Sequence, residues 1–258
     1  MVYRKNLVKK YALISVHDKS KLKYLCANLI KNDYILIATT STAKKIKSFG
    51  FNSIDISKIT KFKEILDGRV KTLHPKIFSS ILFDRKINKH VKQFKKLNVP
   101  RIDIVVVNLY PFEKYKNNLS HNKSLDMIDI GGCSLIRASG KNYKYVTTIS
   151  DTDDYKLLIE NLKNKNGVTD ILFRKKMASK AFSITSKYDS LISHWILKNK
   201  EKNNKLNLRY GENPDQKAYI VNNGYVSISK TQISGKKISY NNILDVDSGI
   251  KCLSEFKE

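Results

Sequence analysis

Apolar residues along this chain fall into short β-branched runs, separated by stretches where they recur every three or four positions. Tyr11-Ala12-Leu13-Ile14-Ser15-Val16 predicts a buried strand. Asp18 is placed to cap the helix that follows, in which Leu22, Leu25, Cys26, Leu29 and Ile30 share one face. A second strand over 34–38 runs into the polar turn Thr39-Thr40-Ser41-Thr42, then a helix over about 43–49 and a short strand near 53–56. This βαβαβ order predicts a parallel sheet with helices on its faces. Residues 102–110 form the most continuous Val/Ile run and read as the central strand, covered on both sides and ended by Pro111. A helix over 124–128 is expected to break at Gly131-Gly132, and another to run from about Ser134 towards Gly140. A strand at 146–149 follows, then a helix capped by Asp151, and a long helix over about 169–197 with Ile171, Leu172, Met177, Ala178, Ala181 and Phe182 inward.

The pattern changes after residue 197. Residues 198–205 are polar and charged and read as a linker, and 206–258 carry a strand-like opening, turn signals and a helix-like tail. About fifty residues are few for an independent core. The expected organisation is one three-layer α/β domain with a central, mainly parallel sheet over 1–197, the linker, and a short incomplete second domain.

Composition adds two constraints. The 258 residues carry 49 Lys+Arg against 23 Asp+Glu, a formal charge of +26. That excess would suit a polyanion, but the lysines are scattered among asparagines and isoleucines, which reads as compositional drift. No nucleic-acid partner and no membrane association are expected. Cys26, Cys133 and Cys252 show no metal-ligand spacing, so neither structural zinc nor a disulfide framework is expected, and a reducing, cytoplasmic setting fits. A glycine-rich P-loop and a GxGxxG fingerprint are both absent.

Four segments could carry chemistry. Asp67-Gly68-Arg69-Val70-Lys71-Thr72-Leu73-His74-Pro75 puts two cations and a hydroxyl beside a glycine that can turn the backbone and a proline read as a helix stop. Asn108 and Tyr110 lie two apart at a strand end, so an amide and a phenol face the same space. Asp129-Ile130-Gly131-Gly132, with Arg137 and Lys141, combines a backbone open to anions with acid–base groups. Ser15 to Lys19 and Thr39 to Thr42 follow predicted strands with hydroxyls and a cation, as a phosphate cradle would.

In order and spacing these segments resemble the bifunctional purine-biosynthesis enzymes that join IMP cyclohydrolase to AICAR formyltransferase. GRVKTLHP and NLYPF are the strongest matches, and 208–216 and 239–243 resemble the opening of the formyltransferase half. The resemblance implies a methylglyoxal-synthase-like fold, and closure of formyl-AICAR to IMP with loss of water, without cofactor or metal. It implies catalytic roles for Lys71, Tyr110, Asp129 and Lys141. Nucleotide contacts fall on Ser15, Lys19, Thr39, Thr40, Ser41, Thr42, Arg69, Thr72, Asn108, Gly131 and Gly132. Arg209, Tyr210 and Asn242 resemble AICAR-site residues without a catalytic partner, since the chain ends at Glu258 before the family's Lys-His motif. The expectation is therefore no formylation of AICAR from 10-formyltetrahydrofolate by this chain alone. A homodimer, and a separate chain carrying the rest of the formyltransferase domain, are the expected partners. A non-catalytic nucleotide-binding remnant is the alternative reading. Departures from the family support it: Thr40-Ser41 replace two glycines, His17 replaces a serine, and Ser79-Ser80 replace a glycine pair. A positive φ at Thr40 or Ser41 would cost about 1–2 kcal/mol.

Overall fold

A computed structural model describes residues 9–66, 68–115, 119–196, 205–221 and 234–256. The chain divides near residue 192 into two units. The first is built on five parallel strands: β1 (Lys10–Val16), β2 (Tyr34–Ala38), β3 (Ile54–Asp55), β4 (Ile102–Asn108) and β5 (Thr147–Ile149), in the order β3-β2-β1-β4-β5. Helices α1 (Leu22–Lys31), α2 (Thr40–Ser48), α3 (Ile56–Thr60), α4 (Pro75–Leu82), α5 (Asn88–Leu97), α6 (Phe112–Tyr115), α7 (His121–Asp126), α8 (Ile130–Lys141), α9 (Asp154–Asn164) and α10 (Ile171–Ile196) complete it. No helix among the described residues is long and apolar enough to cross a membrane.

The unbroken apolar runs of β1, β2 and β4 have their cause in burial on two faces. Ala12, Ile14, Leu36, Ala38, Ile104 and Val106 point into one core, with Leu22, Leu25 and Leu29 of α1 and Leu158 and Leu162 of α9. Leu13, Ile37, Val105 and Val107 point into the other, with Ile77 and Ile81 of α4 and Leu135 and Ile136 of α8. Each fully buried Leu or Ile contributes roughly 1.5–3 kcal/mol of transfer free energy, so a polar residue in either register position would be strongly unfavourable. The β1–β4 register shifts between Tyr11 and Ala12. Asp103 lies at that irregularity, where its carboxylate accepts the Tyr11 N–H at 3.1 Å and pairs with Arg85 at 3.0 Å and Arg101 at 3.1 Å.

Several expectations need correction, each for a local reason. Asp18 does not cap α1: its carboxylate accepts the Ser20 N–H, and Lys21 holds the cap position. α2 begins at Thr40, so the 39–42 segment is an N-cap and first helical turn. Neither Thr40 nor Ser41 has positive φ, which removes the strain expected there. Pro75 opens a helix instead of stopping one. It occupies the first position of α4, where its missing N–H costs nothing, and the His74 imidazole accepts the Lys76 N–H as cap. Gly131-Gly132 lie inside the first turn of α8 and do not break a helix. In α10, Met177, Ala178 and Ala181 are buried, but Ile171, Leu172 and Phe182 are exposed. Asp170, which accepts the Phe173 N–H, sets that helix's start.

The second unit, described by itself, has an antiparallel pair, β6 (Lys205–Asn207) and β7 (Tyr219–Val221), and a helix α11 (Tyr240–Glu255). Asp67, Leu197 at the expected end of the long helix, and residues 198–204 of the expected linker lie outside the described residues.

Candidate active site

Strand order reverses direction between β1 and β4: the chain runs outward from β1 through β2 and β3, then returns to β4 on the other side. Loops leaving the carboxyl ends of these two strands diverge, and in open α/β sheets that crevice is where ligands bind. Asn108, the last residue of β4, ties the two loops together. Its Oδ1 accepts the backbone N–H groups of His17 at 2.6 Å and Asp18 at 2.8 Å, and its Nδ2 donates to the Asp18 carbonyl at 3.0 Å. Asn108 was expected to contact nucleotide; the structure gives its amide a holding role in the β1 loop.

One end of the crevice is cationic. The half-buried Lys19 donates to the His17 carbonyl at 3.2 Å. Burial, then the ammonium groups of Lys45 and Lys71, push its pKa down. None of these three lysines forms an ion pair among the described residues. Their mutual repulsion would be relieved by an anion between them. Beside them, Thr39 Oγ1 lies within hydrogen-bond reach of Ser15 Oγ at 3.4 Å and Thr42 Oγ1 at 3.3 Å, and Thr42 Oγ1 accepts the Val16 N–H at 3.4 Å. Thr39 and Thr42 are thereby fixed and buried, while Thr40 is half-buried and Ser41 exposed at the N-terminus of α2. The helix end adds a positive potential of the same sign.

The other end gathers Lys71, Tyr110, Asp129 and His17. Asp129 is the N-cap of α8 and accepts the Gly132 N–H at 2.6 Å. Its own N–H donates to the Tyr188 hydroxyl at 2.9 Å, which in turn donates to the Met127 carbonyl at 3.2 Å. Burial raises the Asp129 pKa above its ordinary value, opposed by the Gly132 N–H, the charges of Lys71 and His17, and a hydrogen bond from the Tyr110 backbone. The His17 and Tyr110 rings meet edge to face with centroids 5.0 Å apart.

The glycine pair is required by packing. Thr72 is only 3% exposed, and a Cβ on Gly131 would lie 2.5 Å from its Oγ1. A Cβ on Gly132 would collide with the Asp129 carboxylate. Gly131→Ala should therefore destabilise the protein by about 1–3 kcal/mol, as overpacking does. Chemical denaturation checks this, and Thr72→Ala added to the variant should recover most of the loss. Full additivity of the two losses would refute the contact.

Other expected residues stand elsewhere. Arg69 is exposed and pairs with Asp126 of α7. Lys141 is exposed at the last position of the 12-residue α8, roughly 18 Å along the helix from Asp129 at 1.5 Å per residue. In the second unit, Arg209 donates to the Tyr210 hydroxyl at 3.0 Å and lies over its ring. Asn242 forms a capping box with Ser239 at the start of α11. Sequence reasoning missed Lys45 and Tyr188. Lys45 follows Ser41 by four residues and so shares its helix face. Nothing in the sequence marked Tyr188.

The comparisons with known proteins agree with this architecture. An MGS-like domain model matches residues 21–134 and a model for the AICARFT/IMPCHase bienzyme matches 139–258. The first unit is an MGS-like α/β domain. The chain belongs to the family of bifunctional purine biosynthesis proteins. It is 40% identical to the bifunctional purine biosynthesis protein PurH of Lactobacillus acidophilus, covering 96% of this chain and 52% of the relative. For PurH of Clostridium beijerinckii the identity is 41%, covering 97% and 53%. For Fusobacterium nucleatum it is 42%, covering 97% and 52%. The chain thus spans about half the length of these curated relatives. A solved structure described as the crystal structure of ForH superposes with a TM-score of 0.67 at 27% identity, covering 72% of this chain and 96% of the other.

Proposed function

We propose that this chain closes formyl-AICAR to IMP with loss of water, in the crevice between β1 and β4. The observation that carries this reading is the convergence on the Asp129 carboxylate of Lys71, His17 and the Tyr110 backbone, each from a different loop. A cationic end formed by Lys19, Lys45 and Lys71 adjoins it. A nucleotide monophosphate has this same polarity, with a dianion at one end and a heterocycle at the other.

In the proposed reaction the carboxamide nitrogen attacks a formyl carbon of the same molecule. Holding phosphate and ring at fixed points would fold the substrate into the attacking geometry, a large share of the barrier in such closures. Lys71 and the Tyr110 hydroxyl would stabilise the developing oxyanion. Asp129, with its pKa raised by burial, would be a stronger base than an ordinary carboxylate and so better suited to proton transfer. Lys19, Lys45 and the α2 N-terminus at Thr40 and Ser41 would hold the phosphate, with Ser15 and the buried Thr39 and Thr42 bracing the loops beside it, and Thr72, Gly131 and Gly132 would shape the floor. No cofactor or metal is assigned to this step, and 10-formyltetrahydrofolate is not assigned a place in this unit.

The test is ring closure by the purified chain, followed by the absorbance change as formyl-AICAR becomes IMP. The expected result is conversion far above the rate in buffer. A chain that binds IMP and leaves formyl-AICAR open would instead be a nucleotide-binding remnant.

A further inference from the structure

Ring closure with loss of water requires two protons to leave nitrogen: one from the attacking carboxamide and one from the formamide. Two titratable groups beside the heterocycle would let each transfer have its own acceptor. Asp129 is one. Lys141, expected from the resemblance to be the other, lies exposed at the opposite end of α8 from Asp129. The structure places a different group there. His17 follows the carboxyl end of β1, and its backbone N–H is fixed by Asn108 Oδ1 at 2.6 Å. Its ring stands against Tyr110 at an interplanar angle of 84°. The groups whose charges act on it are Asp18 and Lys19 from its own loop and Asp129 from α8, with Tyr110 in contact from the β4 loop.

We propose that His17 is the second proton-transfer residue of the ring closure proposed above, accepting the carboxamide proton as the new C–N bond forms. The inference rests on that functional reading. As the bond forms, the carbonyl electron pair moves onto oxygen beside Lys71 and Tyr110, and the N–H proton passes to the imidazole. Asp129 then takes the formamide N–H proton while the C–O bond breaks. The oxygen leaves as water, carrying one proton from the imidazolium and one from Asp129, and both bases are restored. The environment suits this role. Burial and Lys19 hold the His17 pKa below the ordinary imidazole value, near 6.5, so the ring is neutral and basic at neutral pH.

Position alone does not settle chemistry, because an aromatic edge contact to Tyr110 is also a packing contact. His17→Phe separates the two, since it keeps a ring and removes the lone pair; His17→Ser is the second variant. Both should bind IMP as the wild type does, with KM nearly unchanged and kcat lowered by roughly 100-fold. The acid limb of the kcat–pH profile should lose the component that titrates below about 6.5. His17→Phe closing the ring at the wild-type rate with an unchanged profile would overturn the proposal alone. A wild-type chain that closes no ring would overturn the functional reading, and this proposal with it.

Discussion

Lys71→Ala should lower ring closure by about 10²–10³-fold, the effect of removing one donor from an oxyanion site. Lys71 occupies the junction of the two ends of the crevice: its charge acts on Lys19 on one side and on Asp129 on the other. Its loss therefore has a second consequence with a definite sign. Lys71 opposes the burial that raises the Asp129 pKa, so removing it should move that pKa further up. The acid limb of the rate profile should shift to higher pH. Lys71→Arg, which keeps the charge, should retain the wild-type limb even if its rate falls. Steady-state kinetics from pH 5 to 9, in roughly half-unit steps across the region where carboxyl and imidazole groups titrate, measure both effects. A profile in Lys71→Ala superposable on that of the wild type would remove Lys71 from the site.

Asp129→Asn should separate activity from stability. The expected loss of activity is about 10²–10⁴-fold, the range for a missing acid–base group. Stability should move the other way at neutral pH. The Asp129 pKa is raised in the folded chain relative to about 3.9 unfolded. Its ionised form therefore costs stability above the folded-state value, and the cost vanishes as pH falls to the unfolded value. Asparagine keeps an oxygen that can accept the Gly132 N–H at the head of α8 and carries no charge to bury. The melting temperature of Asp129→Asn should exceed that of the wild type near pH 8, and the gain should shrink to nothing near pH 4. Calorimetry at the two pH values decides it. A variant less stable at both would mean that the carboxylate is needed structurally.

The sheet was legible because its strands are buried on both faces. Ile104-Val105-Val106-Val107 alternates between two cores, and no half-exposed strand carries such a run. Helices with little buried surface were harder to read. α5 buries none of its residues fully, and its apolar face is only the half-buried stripe of Val91, Phe94 and Leu97. α4 was hidden by Pro75, which stops a helix from within yet favours its first turn. α2 begins with Thr40, Ser41 and Thr42, hydroxyl residues equally at home in a turn.

The candidate site shows the same division. Lys71, Tyr110 and Asp129 were named from motifs, and the structure brings Lys71 and the Tyr110 backbone to bear on Asp129. Lys141 lies in the same motif region, but motif spacing carries no information about which end of a helix a residue occupies. His17 was visible as a departure from the family's serine. Its neighbours, however, come from the loop after β4 and the N-cap of α8, about ninety and more than a hundred positions away, and only folding assembles them.

The most direct test of the site is a crystal structure of the chain with IMP bound. The predicted result is phosphate between Lys19, Lys45 and the N-terminus of α2, with the hypoxanthine ring against Tyr110, Asp129 and His17. IMP bound away from the β1–β4 crevice, or seated there with its ring at the lysine end, would contradict it.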